Sequence, residues 1–313
     1  MTMASERFDD VGVVVRESGE RTAEACCGLL AELLGASVHR VSARPFSATL
    51  RKSLELGTRL GRPWTLCVDA DVLVLPALAE FVAGARALPR DIFAVQALVI
   101  DKLLPIRRPA GNHLYRTEHL NRALSQIPSE DVLRPESEMI LRMRDLGYGF
   151  HQSRLVVGLH DFEQGYDDLF AKAYLHGHKH RSLKDHFLPI WTTLADEDAD
   201  YAVALAAWKL VEDGQDTPRV CRDYTDALML SKGTSFEEKP MFTRFSLTDA
   251  ESLVERVIAP DPRIDVQRAR LQEKVDQAVF QSTPKPQRAA VRLRLRWREL
   301  GTKLFSLRKI GRK

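Results

Sequence analysis

One stretch of the chain decides its fold: residues 63–74 read PWTLCVDADVLV. The apolar run predicts a buried strand, and this strand ends in Asp69 and Asp71, one residue apart. Side chains two positions apart on an extended chain point to the same side. Ligands of open α/β sheets bind outside the carboxyl ends of the strands. A carboxylate pair at such a place is suited to a hard divalent cation and, through it, to a phosphate.

Strand and helix patterns alternate on both sides of this stretch, which predicts a largely parallel sheet covered by helices. We expect Gly35 to end the first helix. The predicted strands cover residues 11–15, 38–41, 64–68, 92–100 and 154–159, and the predicted helices between them cover 20–34, 47–60, 76–88 and 136–146. Beyond residue 167 the strand signals fade, and helices are predicted over 199–211, 225–230, 250–258 and 266–280.

The charge is distributed unevenly along the 313 residues. From Lys285 onward there are eleven Lys and Arg against Glu299 alone, a net charge of +10, and the rest of the chain carries −7. Apolar residues recur at helical spacing in this basic segment, among them Leu293, Trp297 and Leu300. A basic amphipathic helix of this kind commonly lies on an anionic membrane surface. A helix that docks on the protein or on a second subunit, or a short edge strand, also fits the pattern.

We therefore expect three parts: a catalytic domain over residues 1–165, a helical region over 166–283 and a basic tail over 284–313. The helical region is suited to form a homodimer. Little aromatic interleaving accompanies the basic residues, so no nucleic-acid partner is expected.

Localisation follows from what the sequence lacks. No apolar run approaches the roughly 18–20 residues that span a bilayer, and the N-terminus has no signal-peptide pattern. The four cysteines show no paired spacing and are expected to be reduced thiols: Cys26, Cys27, Cys67 and Cys221. We expect a cytoplasmic protein, with its tail at the inner face of the membrane.

The order of motifs over residues 11–160 resembles the GT-A fold glycosyltransferases, especially those of the family 2 type. Besides the Asp-x-Asp, the motifs are Val15-Arg16-Glu17, Gly111-Asn112-His113-Leu114-Tyr115-Arg116, a helix from Glu136 through Arg142 to Gly147-Tyr148, and a strand that ends in His160. The resemblance implies an α/β GT-A fold, which is Rossmann-like. Its mixed, mainly parallel sheet is flanked by helices and followed by a mostly helical C-terminal region.

The resemblance also implies a cofactor and a donor. Asp69 and Asp71 would bind Mn²⁺ or Mg²⁺ and, through it, the diphosphate of a nucleotide sugar, with Asp71 the more direct ligand. His160 would be a third metal ligand, since imidazole commonly binds such ions. Arg16, Glu17 and Arg116, together with Asp69, would contact the donor, for which we expect a UDP-sugar.

Two acidic residues on the predicted helix are candidates for catalysis. In the family, an acidic residue six or seven positions before an Arg is the general base that deprotonates the acceptor hydroxyl. Counting back six from Arg142 reaches Glu136, with Glu138 as a helper. An equally simple interpretation is that both acids lie in the first helical turn because the helix dipole favours acids there.

These features predict a metal-dependent glycosyltransferase, inverting, with a carbohydrate or glycolipid acceptor of a surface polysaccharide or glycolipid pathway. The loop Ser42-Ala43-Arg44-Pro45 lacks the acidic motif that usually follows the second strand in family 2. The sequence VDADVLV also resembles retaining family 8 enzymes, which leaves the stereochemical outcome open. Two alternatives remain: a sugar-phosphate nucleotidyltransferase, and a non-catalytic membrane-associated scaffold with a degenerate GT-A fold.

Overall fold

The computed structural model describes residues 8–128, 132, 134–213, 236–237, 239–240 and 244–281. Its eight strands are β1 Val11–Glu17, β2 Val38–Ser42, β3 Trp64–Asp69, β4 Val72–Val74, β5 Ile92–Asp101, β6 Arg107–Pro109, β7 Asn112–Arg116 and β8 Gly149–His160. The helices described are α1 Ala23–Leu34, α2 Phe46–Leu60, α3 Ala77–Ala85, α4 Leu120–Leu124, α5 Pro135–Asp145, α6 Tyr166–Lys179, α7 Lys184–Leu194, α8 Ala199–Asp213, α9 Leu247–Ile258 and α10 Asp265–Asp276.

All eight strands form one mixed sheet with the order β2-β1-β3-β7-β5-β8-β4, and β6 pairs with β5. The expected α/β architecture is confirmed, but the balance of strand directions differs from the expected mainly parallel sheet. Within the described residues, β1 is parallel to β2 and β3, and β5 is parallel to β8. The other four pairings, which involve β4, β6 and β7, are antiparallel.

Successive side chains of a strand point to opposite faces of the sheet, and an apolar core lies on each face. Val13 and Val15 join one apolar cluster, to which α1, α3 and α9 contribute, and Val14 joins the other, with α2, α4 and α5. Helix α1 ends at Gly35, as predicted, because this residue adopts a φ of 57° and its N–H donates to the carbonyl of Ala31.

The chain divides into two compact units, residues 1–274 and 275–313. The first unit includes residues on both sides of residue 165, and α6 is packed against α8 within it. The three expected parts stay a prediction. In the second unit, the described residues are the end of α10 and a helical turn over Gln277–Gln281. The predicted helix over 225–230 and the basic tail over 284–313 lie outside the described residues.

Two further expectations can be compared with the described residues. None of the helices in the described ranges is long and apolar enough to cross a bilayer. Cys26, Cys27 and Cys67 are free thiols, as expected, and Cys221 lies outside the described residues.

Candidate active site

The two aspartates of the Asp-x-Asp line one cavity at the carboxyl end of β3, where the sequence predicted a site. The Nε of Arg16, at the end of β1, donates to Oδ1 of Asp69 over 2.6 Å. Burial raises the pKa of Asp69, and the nearby Asp71 adds to this effect while Arg16 opposes it. The main chain also holds this strand end, since the N–H of Asp69 donates to the carbonyl of Gly111 over 2.8 Å.

Asp71 faces His160, which is the last residue of strand β8. Oδ1 of Asp71 lies 3.7 Å from Nε2 of His160, and this buried oxygen has no hydrogen-bond partner among the described residues. The other ring nitrogen, Nδ1, is 2.8 Å from Oδ2 of Asp101 and 3.0 Å from Oδ2 of Asp161. Carboxylates in this position fix the orientation of a metal-binding histidine.

These groups fit a divalent cation. Ligand atoms of Asp71, His160 and Asp161 lie within 4.8 Å of one another. The unpartnered oxygen of Asp71 and Nε2 of His160 are too far apart for a hydrogen bond, but their separation suits two ligands of one ion. Oxygen ligands and one imidazole form a donor set that accepts Mn²⁺ or Mg²⁺.

The cluster is electrostatically coupled in the absence of an ion. Burial opposes the charge on His160, but Asp161 and Asp71 outweigh it and raise the pKa of His160 to about 10. Asp161 has a φ of 64°, a left-handed conformation that is uncommon for a residue other than glycine. Such strain costs of order 1–3 kcal/mol and is often retained at functional sites.

Glu136, the predicted base, lies in the same cavity but is tightly held. Its Oε1 accepts from Nη1 of Arg16 over 2.5 Å and from the hydroxyl of Tyr115, and its Oε2 is 3.1 Å from Nδ1 of His113. Burial favours the neutral acid, yet Arg16 and His113 outweigh it and lower the pKa of Glu136 well below its usual value. This arrangement suits a carboxylate that positions Arg16 better than one that accepts a proton.

The structure does not bring every predicted residue to the cavity. Glu17 lines it, although its carboxylate pairs with Arg40. Glu138 does not line it, and its carboxylate pairs with Arg142 on the outer face of α5.

Arg116 is not among the residues that line the cavity, and its expected contact with the donor stays a prediction. In the sheet it is paired with Trp64, at the far end of β3 from Asp69. Its guanidinium lies over the ring of Trp64 and donates to backbone carbonyls, including that of Leu88. The antiparallel direction of β7 is the physical reason, because it carries residue 116 away from the carboxyl end of β3.

Sequence reasoning missed several residues that complete the site. Lys172 of α6 lies between Asp71 and Asp161, and Asp101 holds His160 from the end of β5. Glu20 also lines the cavity, and burial raises its pKa to about 7, with Lys172 opposing and Asp71 adding to the shift. Among these residues, Asp161 alone could have been found from the sequence, because it directly follows His160. Lys172, Asp101 and Glu20 do not belong to any of the motifs on which the prediction rested.

No protein-family model and no curated protein matches the chain in sequence. Several solved structures are similar to it. One is a mannosyltransferase from Pyrobaculum calidifontis in complex with GDP-Man and Mn²⁺, with 15% identity, coverage of 87% of this chain and 88% of that one, and a TM-score of 0.40. Another is a glycosyltransferase involved in glycosylation of the major capsid of PBCV-1, with 10% identity, coverage of 48% and 93%, and a TM-score of 0.36.

A cytidylyltransferase from Leptospira borgpetersenii is also similar, with 12% identity, coverage of 47% and 76%, and a TM-score of 0.32. The structures that resemble this chain thus include glycosyltransferases and a cytidylyltransferase, and the likeness is partial at these TM-scores.

Proposed function

We propose that this protein is a metal-dependent glycosyltransferase that moves a sugar from a nucleotide-sugar donor to an acceptor hydroxyl. The observation that carries the proposal is the unpartnered oxygen of Asp71, which faces Nε2 of His160 in a cavity at the strand ends. Asp71 and His160 would hold Mn²⁺ or Mg²⁺, with Asp69 beside them. A bound ion would neutralise the negative charge that develops on the leaving nucleoside diphosphate.

The protein's own residues have separate roles in this proposal. Ion pairs with Asp69 and Glu136 fix the orientation of the Arg16 guanidinium. Arg16 is buried and lines the cavity. The nucleoside would lie towards Phe46 and Arg44, which line the cavity beside the ends of β1 and β2. We propose a single displacement with inversion, in which the acceptor oxygen bonds to the anomeric carbon, the bond from that carbon to the diphosphate breaks, and the hydroxyl proton passes to a carboxylate that lines the cavity. The anomeric configuration of the product, read by NMR, tests this part.

The geometry argues against the nucleotidyltransferase alternative. A phosphate-binding loop after β1 would need available cations, but this segment contributes Glu17 and Glu20 to the cavity. Two nitrogens of its Arg16, Nε and Nη1, are already paired with carboxylates, and Nη2 is left without a partner in the described part of the chain.

The first experiment is a thermal-unfolding panel with the nucleoside diphosphates and the nucleoside triphosphates of all bases, including UDP and GDP, each with and without Mn²⁺. Ligands that bind the folded state raise its stability by mass action. We expect one nucleotide to stabilise the protein only when Mn²⁺ is present, and the expected UDP preference is tested in the same panel. Stabilisation by nucleoside triphosphates alone would favour the nucleotidyltransferase, and no response to any nucleotide would favour the scaffold.

A further inference from the structure

Basic side chains form the wall of the cavity on the side of α6 and the start of α5. This basic wall consists of Arg134, His176 and Lys179, all of which line the cavity. Arg108 lies behind it, with Nη2 3.4 Å from Nε2 of His176, and pairs with the buried Asp101. The segment His176-Gly177-His178-Lys179-His180 thus contributes Lys179 and His176 to the surface of the cavity, and His176 also belongs to a second group of possible metal ligands, with Asp101 and Asp161.

The two cations of the basic wall, Arg134 and Lys179, form no ion pair with a carboxylate among the described residues. Nη2 of Arg134 donates to the backbone carbonyl of Lys179 over 2.9 Å, which uses no carboxylate. The ammonium group of Lys179 has no hydrogen bond or ion pair with any described residue. Nδ1 of the buried His176 has no partner in the described part of the chain either, and its Nε2 lies 3.4 Å from Nη2 of Arg108.

Burial and the neighbouring guanidinium groups lower the pKa of Lys179 and hold His176 and His180 in the neutral form, because they lower the pKa of both imidazoles too. Burial, followed by Arg134 and Arg108, lowers the pKa of Lys179 to about 8. Burial, followed by Arg108 and Arg134, lowers the pKa of His180 to about 2. Cations that are held together at an energetic cost are typical of a site that takes up an anion.

The position of the basic wall separates it from the proposed donor site. Strand order puts β1 and β2 on one side of β3, so Arg44 and Phe46 are on that side. His176 and Lys179 belong to α6, which follows β8 in the other part of the sheet, and Arg134 precedes α5, whose Glu136 contacts Arg16. A diphosphate held at Asp71 and His160 would leave Lys179, in the last turn of α6, to the second substrate.

We propose that the basic wall binds a phosphate group of the acceptor, so that the acceptor of this transferase is a phosphorylated molecule. This inference rests on the proposed function, which places the donor diphosphate at Asp71 and His160. Arg134 offers two parallel donors to phosphate oxygens and Lys179 a point charge. Helix α5 begins at Pro135, and its N-terminus adds a partial positive charge at the same place. The phosphate could be carried by a soluble sugar phosphate or by a lipid headgroup.

The test is a calorimetric titration with inorganic phosphate of protein that is saturated with Mn²⁺ and the nucleoside diphosphate found in the panel. We expect phosphate to bind in addition to the nucleotide. Lys179→Met and Arg134→Met should each weaken phosphate binding by about tenfold and leave nucleotide binding unchanged. Lys209→Met, which removes an exposed lysine of α8, is the matched control and should bind phosphate like the wild type.

Glycerol 3-phosphate and phosphatidylcholine vesicles that contain phosphatidic acid then distinguish the two sources. Binding of the first alone indicates a soluble acceptor, and stronger binding of the vesicles indicates a lipid.

Two results would overturn the inference. Loss of phosphate binding on saturation with nucleotide would assign the basic wall to the donor, and unchanged phosphate affinity in both variants would show that the wall binds none. If no nucleotide binds at all, the proposed function fails. The comparison of the wild type with both variants in phosphate alone then still decides whether the wall is a phosphate site.

Discussion

The ammonium group of Lys172 lies 2.5 Å from Oδ2 of Asp71, the aspartate best placed to bind a metal ion. The same nitrogen is 2.7 Å from Oδ1 of Asp161. Burial disfavours the charge on Lys172, but Asp161 and Asp71 outweigh it and raise its pKa. A cation of the protein thus neutralises one side of the cluster, while the other oxygen of Asp71 faces His160.

Lys172→Met removes this internal cation and leaves two buried carboxylates unpaired. Breaking a buried ion pair in this way costs about 3–5 kcal/mol of stability, which urea unfolding measures. Mn²⁺ should bind about tenfold more tightly to the variant, because the ion no longer competes with a neighbouring positive charge. Lys209→Met should change neither quantity. Equal or weaker Mn²⁺ binding by Lys172→Met would show that the lysine and the ion do not share a site.

Glu136→Gln and Glu138→Gln form a matched pair on one helix. The first removes a buried charge from Arg16 and should cost about 3 kcal/mol, and it should also weaken nucleotide binding because Arg16 loses its orientation. The second removes one partner of a half-exposed pair with Arg142 and should cost under about 1 kcal/mol. If Glu136→Gln unfolds like the wild type and loses only the rate of transfer, Glu136 is the base and not a positioning residue.

Gly111→Ala should displace the side chains of Val72 and His160 and so disturb the proposed metal site. Gly111 has a φ of 61°, and an added Cβ would lie 2.4 Å from Cγ2 of Val72 and 3.1 Å from Cδ2 of His160. We expect a loss of about 1–3 kcal/mol in urea unfolding and weaker Mn²⁺ binding. Gly28→Ala is the control, because a Cβ there meets nothing within 4 Å and a helical site should gain about 0.5–1 kcal/mol. Equal stability of Gly111→Ala and the wild type would contradict this packing.

The contribution of His160 to the stability of the metal-free protein should fall as the pH rises. The pKa of His160 is about 10 in the folded state against an ordinary value of 6.5. Its contribution is therefore complete below pH 6.5 and is lost as the pH approaches 10. The difference in urea midpoint between the wild type and His160→Gln should therefore shift against the wild type as the pH rises over this window. Parallel curves for the two proteins would show that His160 is not charged in the fold.

The sequence predicted the strands and helices that carry strong apolar patterns. It missed the strands that contain polar side chains with partners inside the protein. Strand β7 contains the buried Asn112, whose side chain exchanges hydrogen bonds with the main chain of Ala97. In a sequence, an asparagine predicts a loop unless the group that satisfies its side chain is known. Likewise β8 begins at Gly149 instead of residue 154, because its polar first half pairs with β5 across register shifts.

The candidate site was predictable where its residues end apolar strands, and for Glu136, which a motif marked at the start of a helix. Asp69, Asp71 and His160 do so, and the structure brings them into one cavity. Lys172 and Asp71 are 101 residues apart, and Arg16 and Glu136 are 120 apart. No local pattern marks such pairs, since long-range packing of α5 and α6 against the strand ends creates them.

The measurement that tests the central claim most directly is Mn²⁺ binding, followed by electron paramagnetic resonance, in the wild type, Asp71→Asn and Asp196→Asn. Asp196 is exposed and lies outside the cavity, so its variant controls for the loss of one carboxylate. The account predicts that the wild type and Asp196→Asn bind Mn²⁺ in the presence of the nucleoside diphosphate and that Asp71→Asn does not. Equal Mn²⁺ binding by all three proteins, or none by the wild type, would contradict a metal-dependent transferase built on Asp71 and His160.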